Sequence, residues 1–266
     1  MSDADADADA AGHALQCQTL AVPGSGLEAW RIAARPAPAA LFLHGWDADR
    51  QEMAGPMAEA AALGLPCLAY DLRGHAGTCD QRDTVTPRQS LDDALAAFDL
   101  LSTSPGVDPQ AMAVVGTSFG AWLALLLTAQ RPVRWLVLRV PALYPDAAWD
   151  VPKESLDRDM LRRYRRQPPT AARDRALAAA EAFDGEVLLV WSGDDEVLPP
   201  DECQAFNGAF PNAAALTVRT LTGADHGLGR RRWRSEYRTL LRDWLQTSLM
   251  RLRHEALAQS LDPDPA

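Results

Sequence analysis

At 266 residues, 47% of them hydrophobic, the chain suits one large α/β domain with a full core. A net charge of −10 argues against nucleic acid as a general partner, and no apolar run reaches the length of a membrane span. The four cysteines, Cys17, Cys67, Cys79 and Cys203, form no CxxC pair, so metal spacing is absent; with no export signal, reduced thiols and a cytoplasmic location are expected.

Residues 1–14 form an acidic tail opened by an Asp-Ala repeat, without the basic and apolar regions of a secretory signal, and disorder is expected there. Residues 15–22 and 27–33 read as a hairpin around Pro23-Gly24-Ser25-Gly26. Arg35-Pro36-Ala37-Pro38 reads as a linker. Residues 39–43 are a short apolar strand ending in His44-Gly45-Trp46. A helix over 51–63 stops at Gly64, and a strand over 65–70 leads into the glycine-containing loop 71–77. Thr86 caps and Pro87 starts a helix running to about Ser102. A buried strand over 111–115 precedes a Leu- and Ala-rich helix over 122–130, and 135–140 is another buried strand. From 142 to about 184 the chain turns polar, Arg-rich and Pro-punctuated, with helical pieces near 154–166 and 170–182. Its position suggests a small helical cap inserted over the sheet edge. Strands over 186–191 and 215–221 flank a helix over 200–210. A long amphipathic helix over 231–250 precedes a tail, 251–266.

Strands alternating with helices predict a mostly parallel central sheet over 15–250 with helices on both faces. Ligands in such sheets bind at the carboxyl ends of the strands. His44, Asp71, Ser118, Arg139 and the loops after Trp191 and Leu221 therefore share one rim. Gly116-Thr117-Ser118-Phe119-Gly120 joins a buried strand to a helix, the context a G-x-S-x-G nucleophile elbow needs. The flanking glycines suit a crowded turn, and the helix N-terminus favours developing negative charge. A serine nucleophile needs an acid and a histidine, and in this architecture they follow it in that order. The acid lies in Gly193-Asp194-Asp195-Glu196, where Asp194 and Asp195 both qualify. The histidine is His226, in Gly223-Ala224-Asp225-His226-Gly227.

At this point the chain resembles the α/β-hydrolases, specifically bacterial serine esterase-like members. The resemblance rests on Leu43-His44-Gly45-Trp46, Tyr70-Asp71-Leu72-Arg73-Gly74-His75, the Ser118 elbow, Asp195-Glu196-Val197-Leu198-Pro199 and Ala224-Asp225-His226-Gly227, covering about 39–247. It implies Ser118 as nucleophile, His226 as general base and then acid, and Asp195 as the orienting carboxylate. Only Asp194 separates Gly193 from Asp195, where family members often carry two residues, so Asp194 stays in play. The resemblance also implies an oxyanion hole from the backbone N–H groups of Phe119 and Trp46, with Gly45 letting the loop approach closely.

The expected reaction is cleavage of a small-molecule carboxylic ester or thioester through an acyl-enzyme, without metal or organic cofactor, in a monomer or homodimer that binds neither membrane nor nucleic acid. An aminopeptidase, an acyltransferase and a catalytically silent binding protein on the same fold are the alternatives. His44, His75 and Asp225 read as structural. Arg139, in the apolar strand Leu136-Val137-Leu138-Arg139-Val140, needs an acidic partner such as Asp71 or Asp146, or else clamps a substrate carboxylate. The clusters Arg162-Arg163-Tyr164-Arg165-Arg166 and Arg230-Arg231-Arg232-Trp233-Arg234 read as solvated faces, the acidic tail being one possible partner.

Overall fold

A computed structural model describes residues 16–21, 28–33, 36–168 and 170–261. The tail 1–14 with His13, the turn 22–27 and the end 262–266 lie outside the described residues. Strands β1 (Gln16–Ala21) and β2 (Glu28–Ala33) pair antiparallel as their own two-stranded sheet. The main sheet is parallel throughout, with six strands: β3 (Ala37–Leu43), β4 (Cys67–Ala69), β5 (Val107–Thr117), β6 (Trp135–Arg139), β7 (Glu186–Ser192) and β8 (Ala215–Leu221). Their spatial order is β4-β3-β5-β6-β7-β8.

Alternation along these strands explains the layers. Leu41, Leu43, Val114, Leu136, Leu138, Val187 and Leu189 point to one face. There α2 (Pro87–Ser102), α3 (Phe119–Thr128) and α5 (Arg175–Ala182) cover them, with Phe206 of α6 (Pro200–Asn207) joining the same cluster. The alternate residues Ala40, Phe42, Ala113, Val115, Val137, Leu188 and Val190 face α1 (Ala54–Ala62) and α7 (Arg231–Leu261). Thr86 and Gln89 form a reciprocal capping box at the start of α2, with Pro87 in its first turn, as the sequence requires.

Several boundaries differ from expectation. The supposed linker starts β3: Ala37 pairs with Val107, and a register shift between Ala37 and Ala39 accommodates Pro38, which has no N–H for the ladder. Arg50–Met53 is a 3-10 turn ahead of α1. The final helix continues past Met250 to Leu261, where a tail from 251 is expected. Arg251 donates to Glu186 at 2.6 Å, Arg134 pairs with Glu255, and Leu252 packs on the α1–α7 layer. The 142–184 segment contains three 3-10 turns, α4 (Arg158–Arg166) and α5. Helix α4 packs on α6, whereas α5 packs on α3 within the sheet-covering layer. Among the described residues no helix is long and apolar enough to cross a membrane.

Candidate active site

Strand β5 delivers Ser118 into a turn that the backbone enters under constraint. Ser118 has φ +52° and ψ −113°, a region L-residues rarely occupy. Both neighbouring glycines are obligatory. A Cβ on Gly116 would sit 2.4 Å from the Gly120 carbonyl oxygen, and one on Gly120 would sit 2.3 Å from the Leu43 carbonyl oxygen. Gly45 differs from expectation, because an added Cβ would meet Ser118 Cβ and the Thr117 oxygen at an ordinary 3.7 Å. The Ser118 N–H donates to the Arg139 carbonyl at 2.9 Å, tying the elbow to β6.

Three side chains from separate strand ends meet here. Ser118 Oγ lies 3.0 Å from His226 Nε2. His226 Nδ1 lies 2.8 Å from Asp195 Oδ2 and 3.1 Å from Oδ1. With the proton on Nδ1 donated to the carboxylate, Nε2 is left to accept from the serine hydroxyl. The Asp195 side chain is 7% exposed and that of His226 16%. Asp195 Oδ1 also accepts from the N–H groups of Val197 and Leu198, at 2.8 and 2.9 Å. Burial alone would raise the Asp195 carboxyl. The hydrogen bond and electrostatic pull of His226, with the two backbone donors, outweigh burial and hold the group below its usual range. Asp194 is exposed and does not reach the imidazole; its backbone N–H donates to Ala224.

The His226 loop is braced from three sides. Asp225 accepts from the Gly229 N–H at 2.8 Å, Ser192 Oγ donates to the Asp225 carbonyl at 2.8 Å, and Arg139 Nη1 donates to the His226 carbonyl at 2.6 Å. Arg139 thus has partners the sequence did not suggest. It is 2% exposed, and its acidic neighbour is Glu52 at 3.3 Å. Asp71 pairs instead with Arg50 and Asp146 with Arg175, each at 2.9 Å.

Opposite the imidazole lies the turn after β3. His44 Nε2 accepts the Leu72 N–H at 2.9 Å, so Nδ1 carries the proton and donates to the Gly45 carbonyl at 2.7 Å. Burial lowers the His44 pKa, consistent with a neutral ring. His75 Nε2 bonds the Trp46 carbonyl. The Trp46 indole donates to Glu154 at 2.8 Å, and Arg82 reaches both Glu154 and Asp47. The turn is therefore fixed by groups from three other segments. Among the described residues, the backbone N–H groups of Trp46 and Phe119 have no hydrogen-bonded acceptor, and Phe119 opens α3. Both are donors beside Ser118, where a helix N-terminus favours negative charge.

The basic clusters divide. Arg162, Arg163 and Arg166 are exposed as expected, but Arg165 is buried. It donates to the Leu143 carbonyl and lies 3.8 Å from Glu202, whose carboxyl burial pushes up to about 8. In the second cluster, Arg234 donates to the carbonyls of Leu228 and Gly229, while Arg230 and Arg232 flank the Trp233 ring. Residues outside the sequence expectation also contribute: Glu52 behind Arg139, and Lys153 and Glu154 against Trp46. A buried role for them is not readable from local pattern.

An uncharacterized protein of Mycobacterium tuberculosis is 34% identical over 165 residues, 61% of this chain and 54% of its own length, so the match spans about half of that relative. Ferulic acid-bound Est1E from Butyrivibrio proteoclasticus superposes with a TM-score of 0.63 at 16% identity, covering 91% of this chain and 98% of that one. A monoacylglycerol lipase from Paleococcus ferrophilus gives 0.59 at 16% identity, covering 87% and 98%. At such identities these structures share the fold. The alpha/beta hydrolase family model matches residues 40–260, and the chain belongs to that family.

Proposed function

We propose that the protein is a serine hydrolase that cleaves a carboxylic ester or thioester by acyl transfer to Ser118 and then to water. The observation that carries the reading is the continuous relay from hydroxyl to imidazole to carboxylate, at 3.0 and 2.8 Å, on a serine held at φ +52°. Ser118 Oγ attacks the substrate carbonyl while His226 Nε2 takes its proton. Asp195, ionised and bonded to Nδ1, orients the ring and stabilises the imidazolium that forms. The N–H groups of Phe119 and Trp46 receive the oxyanion; losing one such donor typically costs about 3 kcal/mol of transition-state stabilisation. His226 then protonates the leaving alcohol or thiol. In the second half-reaction it takes a proton from water, which attacks the acyl carbonyl, and passes that proton to Ser118 Oγ as the acyl–oxygen bond breaks and frees the acid.

The monoacylglycerol lipase among the structural neighbours supports an ester over an amide substrate. Arg139 acts as a positioning residue, since both its observed bonds are to protein acceptors and one holds the His226 carbonyl. The part of the 142–184 segment ahead of α5 acts as the cap, its Glu154 gripping Trp46. Turnover of short p-nitrophenyl esters tests the reading. Wild type should hydrolyse them and Ser118→Ala should not; equal rates in folded wild type and Ser118→Ala would refute it.

A further inference from the structure

Lys153 is the only lysine among 26 lysine and arginine residues in the chain, and it is buried, at 9% exposure. It opens the 3-10 turn Lys153–Ser155, which its own backbone anchors by donating to the Val85 carbonyl at 2.8 Å. Its Nζ lies 4.6 Å from the Trp46 ring centroid, 5.2 Å from that of Tyr144 and 5.7 Å from that of Phe119. Two of these rings belong to the residues whose N–H groups flank Ser118. The ammonium therefore packs against the side chains of the two residues proposed to hold the oxyanion.

Every nearby arginine has an acidic partner: Arg82 has Asp47 and Glu154, Arg88 has Asp150, Arg165 has Glu202 and Arg175 has Asp146. Among the described residues, no carboxylate stands within ion-pair distance of Lys153. Asp47 and Glu154 draw on its charge only from further off, and Arg165 and Arg82 repel it. Burial, with that repulsion, lowers its pKa to about 8. A second donor in the same aromatic cluster also lacks an acceptor. The Trp122 indole N–H is buried without a hydrogen-bond partner, and its ring stacks on Phe119 and meets Tyr144 edge-on. Aromatic walls supply cation–π attraction but no hydrogen-bond acceptor, so among the described residues no protein group accepts from the ammonium.

We propose that Lys153 recognises a carboxylate on the acyl part of the substrate, making half-esters of dicarboxylic acids the preferred substrate class. The inference rests on the acyl-transfer reading above. With the scissile carbonyl at Ser118 and its oxygen toward the Phe119 and Trp46 N–H groups, a short acyl chain directed past Trp46 presents its far carboxylate to Lys153. One ammonium matches one carboxylate in charge; a dianionic group would stay under-neutralised.

The test compares p-nitrophenyl hemiglutarate with p-nitrophenyl butyrate, matched in leaving group and nearly in length. Wild type should favour the half-ester in kcat/KM by about tenfold or more, the range of a buried charge-assisted bond. Lys153→Met should erase that ratio, Lys153→Arg should retain part of it, and exposed Arg162→Met should leave it unchanged. The ratio cancels any general loss of folded enzyme. Because the chain has one lysine, ε-13C-lysine labelling gives a single resonance whose pKa glutarate should raise. An unchanged ratio in Lys153→Met, or a wild type that prefers butyrate, overturns the proposal. If wild type turns over neither ester, the acyl-transfer reading falls, and the glutarate titration decides Lys153 alone: a raised pKa supports the subsite and no shift overturns it.

Discussion

Replacing Ser118 by glycine and, separately, by alanine isolates the strain at the elbow. Both variants lose the hydroxyl and its 3.0 Å contact with His226, so they differ only in the Cβ. At an ordinary position glycine is the less stable of the two by about 0.5–1 kcal/mol, through its freer unfolded chain. At φ +52° and ψ −113° the Cβ adds a steric penalty of about 1–3 kcal/mol that glycine escapes. The penalty exceeds the entropy loss, so Ser118→Gly should be more stable than Ser118→Ala by about 1 kcal/mol. In thermal unfolding that corresponds to a midpoint about 2–4 °C higher. Urea titration should show a shifted midpoint with an unchanged slope, since the surface exposed on unfolding is the same. If alanine equals or exceeds glycine in stability, Ser118 is not held in a strained conformation and the elbow argument fails.

Further outcomes follow from the same geometry. Asp195→Asn keeps the shape but cannot enforce the proton on Nδ1, so kcat should fall about 10^3–10^4-fold while the unfolding midpoint barely moves; steady-state kinetics and a melting curve check both. Arg139→Met should lower kcat/KM on acidic and neutral esters alike, because its bonds go to His226 and Glu52; loss confined to acidic esters would return it to the role of substrate clamp. Lys153 has a folded pKa of about 8 against an ordinary 10.5. The unfolded chain therefore binds more protons between those values, and this group's contribution to stability rises as pH climbs from about 8 to 10.5. Below pH 8 the buried ammonium is a liability of about 3 kcal/mol, so Lys153→Met should be stabilised at pH 7, and its advantage should shrink by pH 10.5. Glu202 has the opposite sign: with its carboxyl raised to about 8, its contribution falls as pH rises from about 4.5 to 8, and Glu202→Gln should remove that decline in denaturant titrations.

Much of this site is legible in the chain because it is encoded locally. The elbow is five contiguous residues between a strand and a helix, and its two glycines are fixed by contacts within the turn and with β3. Asp195 and His226 stand just past strands whose apolar pattern is plain, and strand order then brings them beside Ser118. Asp194 could not be dismissed from spacing, because only the turn of the loop decides which carboxylate faces the ring. Arg139 announced itself as a cation in an apolar strand, but its partners come from Glu52 and from a loop 87 residues on. No local pattern names them. Residues 251–261 look polar enough for a tail, yet Arg251 and Glu255 are spent on Glu186 and Arg134 at the start of the sheet, which extends the helix. Lys153 sits in a stretch without clear periodicity. Its burial depends on Trp46, Phe119 and Tyr144 closing around it, a purely tertiary event.

The catalytic assignment is tested most directly by covalent labelling with a fluorophosphonate, which reacts with a serine only where a base and an oxyanion hole activate it. Mass spectrometry of the digested adduct should find one modification, on Ser118, and labelling should collapse in folded His226→Ala. An adduct on any other residue, or no adduct on the folded wild-type protein, would contradict the account.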